Sequence, residues 1–438
     1  MRSRSFRISL LIVLPKLLVL LVLLAGRVAA QEEKRLPMDI EKAVSYGLEH
    51  HKGIAADRQQ INAAAGKLKQ AGLKANPMLE SSALTSITDS GMQNGLIGVT
   101  LPLELGRRER RVTLAERETE MKRHEVADRE RMLAAEIRLK FAEVLETRET
   151  LSLSREIIEF NHEIQKLVGA RVAEGISARL EENMQIIELR RSEGRASGLE
   201  SRLRSLIEEL KGLLGMPAEA ELLVEGDLPT RSPGPTSGVE APLGEAMLNR
   251  PDLRAALAAE EVGEAMIAMA RTEGRFDVSI FGELGWQRWA FDQLGQMDNR
   301  LVPIGMVNGM IRGGVNIMLP IRNRNQGNIE AAAAYRNEAR LRREFVQSMI
   351  YREVRTAQER IAGAQRVLQT FDNQLIESQQ KNYGIIRASF ELGHARLTDL
   401  LGEQRRLSEL RMEQTMAKRE LLVARIELAR AVAGALNR

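Results

Sequence analysis

Two long stretches without proline constrain the fold of this chain more than any other feature. The first comprises the 114 residues between Pro102 and Pro217, and the second comprises the 118 residues after Pro320. Proline interrupts a helix because it lacks an N–H donor and its ring clashes with the preceding turn. These stretches therefore permit helices far longer than the roughly 11–12 residues of an average globular helix.

Apolar residues in both stretches recur with the seven-residue period of coiled coils. In the first stretch they are Ile137, Val144, Leu151 and Ile158; in the second they alternate four and three apart, at Ile350, Val354, Ala357, Ile361, Ala364, Leu368, Phe371 and Leu375. Glycine interrupts the first stretch at Gly175. We therefore predict two helices, at about 108–171 and 178–214, folded back on each other as a helical hairpin.

A segment with the two-residue alternation of β-strands precedes each long stretch. We predict one β-hairpin at about 78–103 and another at about 276–320. In the second hairpin, one face carries Val278, Ile280, Leu284, Ile311, Val315 and Ile317, and the other carries Asp277, Ser279, Glu283, Arg312 and Asn316. The residues between Trp286 and Met310 are rich in Gly, Asn, Asp and Gln, so we expect them to form a loop.

The order of these segments indicates an internal duplication. Pro102 and Pro320 are 218 residues apart, and the same distance separates Gly175 from Gly393. Before the hairpins, the best correspondence has an offset of only 200 residues, so we assign the 18 extra residues to the loop of the second hairpin. The predicted organisation is a first repeat at 31–214, a proline-rich linker at 215–242 and a second repeat at 243–438.

Residues 1–30 have the features of a secretory signal peptide, with cleavage expected after Ala30. Arg2, Arg4 and Arg7 precede an apolar run, and Val28 to Ala30 supply small residues for the peptidase. A retained membrane anchor is the alternative, but Pro15 and Lys16 shorten the run. No later segment approaches 18 consecutive apolar residues, so we expect the exported chain to enter a membrane only with strands.

The composition argues against several classes of function. The signal segment contributes five positive charges to a net charge of +4, so the exported chain carries about −1 and has no basic excess for nucleic acid. The absence of cysteine excludes disulfides and thiolate metal sites. The adjacent His50 and His51 point apart on a helix, and no catalytic motif occurs. We expect no enzyme, no metal site and no cofactor.

The combination of amphipathic strands and long helices favours a channel. Open strand edges are not tolerated in hydrocarbon, so four strands per chain would have to be pooled among several chains to form a wall between lipid and water. A soluble periplasmic coiled-coil adaptor or scaffold is the alternative. Such an adaptor needs one helical hairpin enclosed by sheet domains, whereas this chain repeats strands and helices twice.

The chain resembles the TolC-like outer-membrane efflux proteins over essentially the whole exported part. The resemblance is carried by the segments 248–253 (LNRPDL), 319–327 (LPIRNRNQG) and the surroundings of Gly175 and Gly393; the segment 101–108 (LPLELGRR) is most similar to the CzcC-type branch, which serves heavy-metal efflux. It implies an α+β, mostly α fold. Long antiparallel coiled-coil helices would form an α-barrel, and four transmembrane strands per chain would contribute to a trimeric twelve-stranded β-barrel.

The resemblance also implies a function without catalysis. Such a homotrimer lies in outer-membrane lipid, with a long extension into the periplasm. It is the passive exit duct of a tripartite efflux system, with a periplasmic adaptor and an inner-membrane pump, expected to be of the RND type. The branch suggests heavy-metal cations as cargo, whereas drug efflux and type I secretion ducts of the same fold remain alternatives.

Candidate site residues follow from the family pattern by position. Adaptor-docking tips are expected at Arg171, Gly175, Phe390 and Gly393, a periplasmic entrance at Glu181, Asp399 and Gly402, and strand–helix junctions at Pro102, Gly106, Pro320, Asn323 and Gly327. The family places an arginine four residues and an aromatic three residues before each tip glycine. Here the first tip has Arg171 but Val172, and the second has Ser389 but Phe390.

The entrance and junction residues have further interpretations. The family carries acidic residues six and nine positions after the second glycine, and here these positions hold Asp399 and Gly402. One ring of charge is therefore expected to persist and the other to be missing. We assign the junction residues to architecture, as helix caps and turns. Trp286 and Trp289 fit either an interfacial aromatic belt or ordinary hairpin packing.

Overall fold

A computed structural model describes residues 36–86, 92–229, 240–371 and 373–434. The predicted signal peptide and its cleavage site lie outside these residues. Among the described helices, none is long and apolar enough to cross a membrane.

The described chain is mostly helical, with six strands. The strands are β1 (Leu36–Met38), β2 (Met78–Thr85), β3 (Gln93–Leu103), β4 (Leu222–Val224), β5 (Asp277–Met297) and β6 (Arg300–Met318). The helices are α1 (Ile40–His50), α2 (Lys52–Ala71), α3 (Arg107–Ala173), α4 (Arg179–Leu214), α5 (Glu240–Asn249), α6 (Pro251–Glu273), α7 (Gln326–Thr370), α8 (Asn373–Glu391) and α9 (Leu397–Val432).

The chain divides into two compact units. The first, here called the helical unit, comprises the described parts of 1–55, 130–246 and 352–438; the second, the sheet unit, comprises 56–129 and 247–351. Each unit takes segments from both halves of the sequence. The compact units therefore do not coincide with the two sequence repeats.

The boundaries of the first long helices agree with the proline and glycine pattern. Helix α3 spans 67 residues between Arg107 and Ala173, and α4 begins at Arg179 after a glycine turn. In the second half, the predicted heptad positions 350–375 extend over two helices, α7 and α8. Helix α7 ends at Thr370, and the Nε2 group of Gln414 donates to the backbone oxygen of Phe371 at 3.0 Å. This bond satisfies a carbonyl group at the helix end.

The helical unit has an apolar core built on the predicted heptad positions. Ile137 and Val144 are buried together with Phe141, Leu210 and Leu214. The segment expected to be a linker contributes structure to this unit, since β4 pairs in parallel with β1. An Nη1 donor of Arg148 binds the backbone oxygen of Val224 at 2.7 Å and holds this strand against α3.

The sheet unit contains a four-stranded antiparallel sheet in the order β2-β3-β5-β6. Its register places Ile280 opposite Val315, Leu284 opposite Ile311 and Glu283 opposite Arg312. Directly opposed residues of antiparallel strands point to the same face. The register therefore confirms the predicted separation into an apolar and a polar face.

The loop predicted between Trp286 and Met310 is not a loop. Strands β5 and β6 continue through it and are joined at Asp298 and Asn299, whose φ angles are +47° and +61°. Left-handed backbone at both central residues is typical of a type I′ hairpin turn, and Asp and Asn tolerate it better than other side chains. The additional residues of the second half lengthen the strands instead.

The two tryptophans lie in the strand part of this hairpin. Trp286 is opposite Gly309, and Trp289 is opposite Met306. Because they are three positions apart in a regular strand, their side chains leave opposite faces of the sheet. They therefore cannot both belong to a single interfacial belt on one face.

Candidate functional site

The helical unit contains two tip turns with the same hydrogen-bond pattern. After α3, the backbone N–H of Ile176 donates to Arg171 O at 2.8 Å, and that of Gly175 donates to Val172 O at 3.1 Å. After α8, the corresponding donors 218 residues later bind Ser389 O and Phe390 O at 2.8 and 2.9 Å. Both turns are Schellman motifs, in which a left-handed residue ends the helix.

The two tip glycines provide the left-handed residue. Gly175 has a φ of +75° and Gly393 a φ of +81°, a region that L-residues with a Cβ enter only at a cost of roughly 1–2 kcal/mol. A Cβ added to Gly393 would also lie 3.0 Å from an Nη2 atom of Arg171, whereas none of the described atoms lies within 4 Å of that position at Gly175. The second tip is thus the more constrained one.

The arginine and the aromatic residue that each tip lacks are supplied by the other tip. The Nη1 group of Arg171 donates to Phe390 O at 3.0 Å, and its guanidinium carbon lies 5.0 Å from the centre of the Phe390 ring. The contact combines a hydrogen bond with a cation–π interaction. One shared Arg–aromatic pair therefore joins the two tips, which a comparison of each tip with the family pattern could not reveal.

The Phe390 ring of this pair belongs to an apolar cluster at the tips. Its buried members are Ile164, Val168, Phe390, Leu397, Leu400 and Leu401. Tyr383 packs against the cluster, and burial raises the pKa of its hydroxyl above the ordinary value. Around the cluster, ion pairs join the repeats at Arg387–Glu163 (3.1 Å) and Arg405–Glu188 (2.7 Å).

The tips also expose large apolar side chains. Ile176 and Leu180 at the first tip and Leu392 at the second are each exposed by more than three fifths of their surface. Exposed apolar residues in a turn have no role in the core of their own chain. A surface of this kind is suited to burial against a partner.

The three predicted entrance residues differ in their surroundings. Asp399 is exposed in the first turn of α9, and its Oδ2 atom accepts the backbone N–H of Arg396 at 3.2 Å. Glu181 has the equivalent position in α4, where its own N–H donates to Ala178 O at 3.0 Å. Gly402 lies inside α9, and a Cβ added to it would extend into open space. Asp399 therefore caps the N-terminus of α9.

The apolar face of the sheet is uncovered within the described chain. Its residues include Leu79, Ile97, Val99, Leu101, Ile280, Leu284, Ile311, Val315 and Ile317, all of them exposed, with Ile311 reaching 88%. Monomeric soluble proteins rarely leave so large a contiguous apolar surface in water. This face requires either lipid or a protein partner.

The opposite face is polar and internally paired. Arg312 donates through Nε to Glu283 Oε2 at 2.6 Å, and its guanidinium carbon lies 5.8 Å from the centre of the Phe281 ring. Between β2 and β5, a Cβ at Gly98 would approach Glu283 Cγ to 2.5 Å, so glycine makes room for this carboxylate. A polar face of this kind is suited to water.

Both outer edges of the sheet are open. Among the described residues, β2 pairs only with β3, and β6 pairs only with β5. Strand β6 therefore presents the unpaired groups of its second edge along 19 residues. Such an edge is a site for pairing with another strand.

The structure places the predicted junction residues at the ends of the sheet. Pro102 lies in β3 beyond Thr100, which pairs with the first residue of β2, so β3 has a neighbour on only one side there. Gly106, with a φ of +77°, precedes α3. Pro320 follows β6. Gly327 lies in the first turn of α7 with ordinary backbone.

Asn325 has left-handed backbone at the junction between β6 and α7. Its φ is +63°, its Nδ2 group donates to Ala270 O at 2.9 Å, and its N–H is accepted by Asn323 Oδ1 at 3.0 Å. Asparagine is the non-glycine residue best suited to this backbone region because its amide bonds locally. It connects the start of α7 to the end of α6.

A buried ion pair near the junction of α5 and α6 was not identified from the sequence. Pro251 is the first residue of α6, as predicted. Arg250 is only 1% exposed, and its Nη2 group lies 2.6 Å from Asp252 Oδ2. An arginine next to a proline gives no local sign of burial, so only the tertiary structure shows it.

No group of three or more His, Cys, Asp or Glu residues in the described chain is arranged to hold a metal ion.

Known proteins that are similar to this chain share its two-part organisation. A sequence model described as "Outer membrane efflux protein" matches residues 44–216 and 243–434, in two segments that correspond to the two repeats. The cobalt-zinc-cadmium resistance protein CzcC of Cupriavidus metallidurans is 22% identical over 377 residues, which cover 86% of this chain and 85% of that protein.

Solved structures of outer-membrane channels have a similar fold. A crystal structure of CusC superposes with a TM-score of 0.73 at 15% identity, covering 90% of this chain and 92% of CusC. The channel OprN gives 0.73 at 18% identity, with 91% of each chain covered. The open state of MtrE from Neisseria gonorrhoeae gives 0.69 at 16% identity, covering 91% of this chain and 90% of MtrE.

Proposed function

The chain belongs to the outer membrane efflux protein family, and from this premise we propose that three copies form the exit duct of a tripartite efflux system. Members of this family are passive channels of the Gram-negative outer membrane with a long periplasmic helical domain, and they are not enzymes. The resemblance inferred from the sequence is thereby confirmed. A soluble periplasmic adaptor is set aside, because the family is one of membrane channels.

The observation that carries the proposal is an exposed apolar sheet face with two open edges. Hydrocarbon offers no hydrogen-bond partner to the backbone of a spanning strand. The free edges of β2 and β6 must therefore pair with other strands in the membrane. Pairing β6 of one copy with β2 of the next covers the edge of β2 and the matching part of the longer edge of β6. Three copies joined in this way close a wall of twelve strands. The apolar face then contacts lipid, and the face with Glu283 and Arg312 contacts water.

We propose the tips as the docking surface for a periplasmic adaptor. Ile176, Leu180 and Leu392 offer apolar area, and the Arg171–Phe390 pair fixes the two turns relative to each other. Within the proposed trimer, Glu181, Asp399 and Gly402 line the periplasmic entrance, where Asp399 would add one ring of negative charge. Because Asp399 also caps α9, Asp399→Asn is the variant that removes the charge and keeps an acceptor for the cap.

The similarity to a cobalt-zinc-cadmium resistance protein supports divalent metal cations as the cargo and an inner-membrane pump of the RND type as the driving partner. A passive duct contacts its cargo little, so specificity resides in the pump. Drug efflux and type I secretion use ducts of the same fold and remain the alternatives.

Deletion of the gene for this protein is expected to lower tolerance of divalent cobalt, zinc and cadmium, because the pump then has no duct through which the cations can leave the cell. The minimal inhibitory concentrations of these salts and of several hydrophobic drugs are measured side by side in the deletion strain. Restored tolerance with a plasmid copy is the control. Unchanged metal tolerance together with increased drug sensitivity would contradict the metal cargo and leave the duct itself in place.

A further inference from the structure

Basic residues lie wherever the sheet meets a helix, either in the connection or in the first turn of the helix. Lys74 precedes β2, Arg107 and Arg108 follow β3, Arg275 precedes β5, and Arg322 and Arg324 follow β6. Strands β2 and β3 contain no lysine or arginine at all. The end of the sheet where its strands meet helices therefore carries these six basic residues, together with the carboxylates of Glu104, Glu273 and Asp277.

Some of these cations have structural partners. Arg107 donates through Nη2 to Arg275 O at 3.2 Å and forms an ion pair with Asp277 at 3.0 Å. Arg111, one helical turn further along, donates to Glu104 and holds the pKa of that carboxyl below its ordinary value. These two arginines fasten the start of α3 to neighbouring backbone and carboxylates.

Three other arginines at this end of the sheet lack such structural partners in the described chain. Arg275, Arg322 and Arg324 are exposed, and their guanidinium groups have no hydrogen-bond or ion-pair partner among the described residues. The segment from Pro320 to Asn328 contains no acidic residue. These side chains are thus not required by the fold of the sheet unit, and their charge is available to a ligand.

Arginine and apolar side chains line one cavity at this end of the sheet. Its volume is about 760 Å³, and its lining includes Arg107, Arg275, Arg322, Met318, Leu319 and Ile321. Leu319 and Ile321 are 66% and 74% exposed. Of the two carboxylates in the lining, Asp277 is paired with Arg107 at 3.0 Å. Glu273 accepts a hydrogen bond from the Nδ2 group of Asn325 at 3.3 Å and keeps its charge.

We propose that this cavity binds the head group of an anionic phospholipid in the periplasmic leaflet. The phosphate lies between the guanidinium groups of Arg275 and Arg322, which present paired N–H donors suited to phosphate oxygens. The acyl chains cover Leu319 and Ile321 and continue along the exposed apolar face. A free phosphate ion would leave this apolar surface in water, so a lipid accounts for both halves of the cavity.

This inference rests on the proposed function, in which the sheet enters the membrane and the junction lies at the lipid–water boundary. The double variant Arg275→Gln/Arg322→Gln tests it, because neither side chain supports the fold. Arg195→Gln/Arg202→Gln is the matched control, since both of these arginines are exposed on α4 and have no partner among the described residues. Full-length protein is reconstituted into vesicles of phosphatidylethanolamine, with or without phosphatidylglycerol.

Lipids retained by the protein are then counted by native mass spectrometry. Wild type and the control variant are expected to enrich phosphatidylglycerol over phosphatidylethanolamine, and the junction variant is expected to lose this preference by roughly ten- to thirtyfold, since each arginine near an anionic surface contributes about a factor of five. The preference should fall as salt is added, and inorganic phosphate at the same ionic strength should displace no more lipid than chloride does.

Equal enrichment in all three proteins would overturn the inference while leaving the duct intact. Displacement of the lipid by inorganic phosphate beyond the effect of ionic strength would show that the cavity is a phosphate site, and would overturn it as well. Failure of the wild type to enter vesicles of either composition would contradict the proposed function, and the lipid site with it.

Discussion

Leu284→Lys is expected to prevent accumulation of the chain in the outer membrane. Leu284 lies on the apolar face of the sheet, between Ile97 of β3 and Ile311 of β6. It is seven residues into β5, about 23 Å along the strand at about 3.3 Å per residue, which places it within the apolar layer of a tilted strand. A lysine facing lipid there costs about 2–4 kcal/mol, and a trimer would incur this cost three times.

Gln287→Lys is the matched control for this variant. Gln287 belongs to the same strand but lies opposite Asn94 and Asn308, on the polar face. The same charge at this position faces water and is expected to leave assembly unchanged. Both proteins are quantified in outer-membrane fractions by immunoblotting. Equal amounts of the two variants would contradict the assignment of the apolar face to lipid.

Gly393→Val is expected to lower the metal tolerance that the chain confers while leaving trimers intact. Valine must adopt a φ near +81°, and its Cβ must occupy the space 3.0 Å from the Arg171 guanidinium. The left-handed backbone alone costs roughly 1–2 kcal/mol, which corresponds to about five- to thirtyfold weaker docking if the adaptor requires the native turn. Metal tolerance and native oligomer mass are the two measurements.

Gly384→Val controls for the size of the new side chain. Gly384 lies in α8, nine residues before Gly393, and apart from the adjacent backbone of α8 no described atom lies within 4 Å of its added Cβ. This variant is expected to support wild-type tolerance. Full tolerance with Gly393→Val would remove the docking role of the second tip, whereas loss of its trimers would show a general folding defect instead.

Features that depend on neighbouring residues were predictable from the sequence. The ends of α3 and α4 follow from Pro102, Gly175 and Pro217, because proline and glycine act on the backbone locally. The two faces of the sheet follow from strict alternation between Asp277 and Leu284. The tip glycines were identified because the same break occurs twice at a fixed distance.

Features that depend on distant parts of the chain were not predictable. The residues after Trp286 have the composition of a loop, yet pairing with β6 makes them a strand, and the turn is provided by Asp298 and Asn299. Arg171 and Phe390 are separated by 219 residues, so their contact is not visible in either tip alone. The strand β4 within the expected linker depends in the same way on β1.

In the proposed duct, open sheet edges of separate copies pair in the outer membrane. The most direct measurement is the native mass of the chain after extraction from purified outer membranes with a mild detergent. The proposed duct predicts recovery in the outer-membrane fraction and a mass of three copies. Recovery of a single copy in the soluble periplasmic fraction after gentle lysis would contradict it.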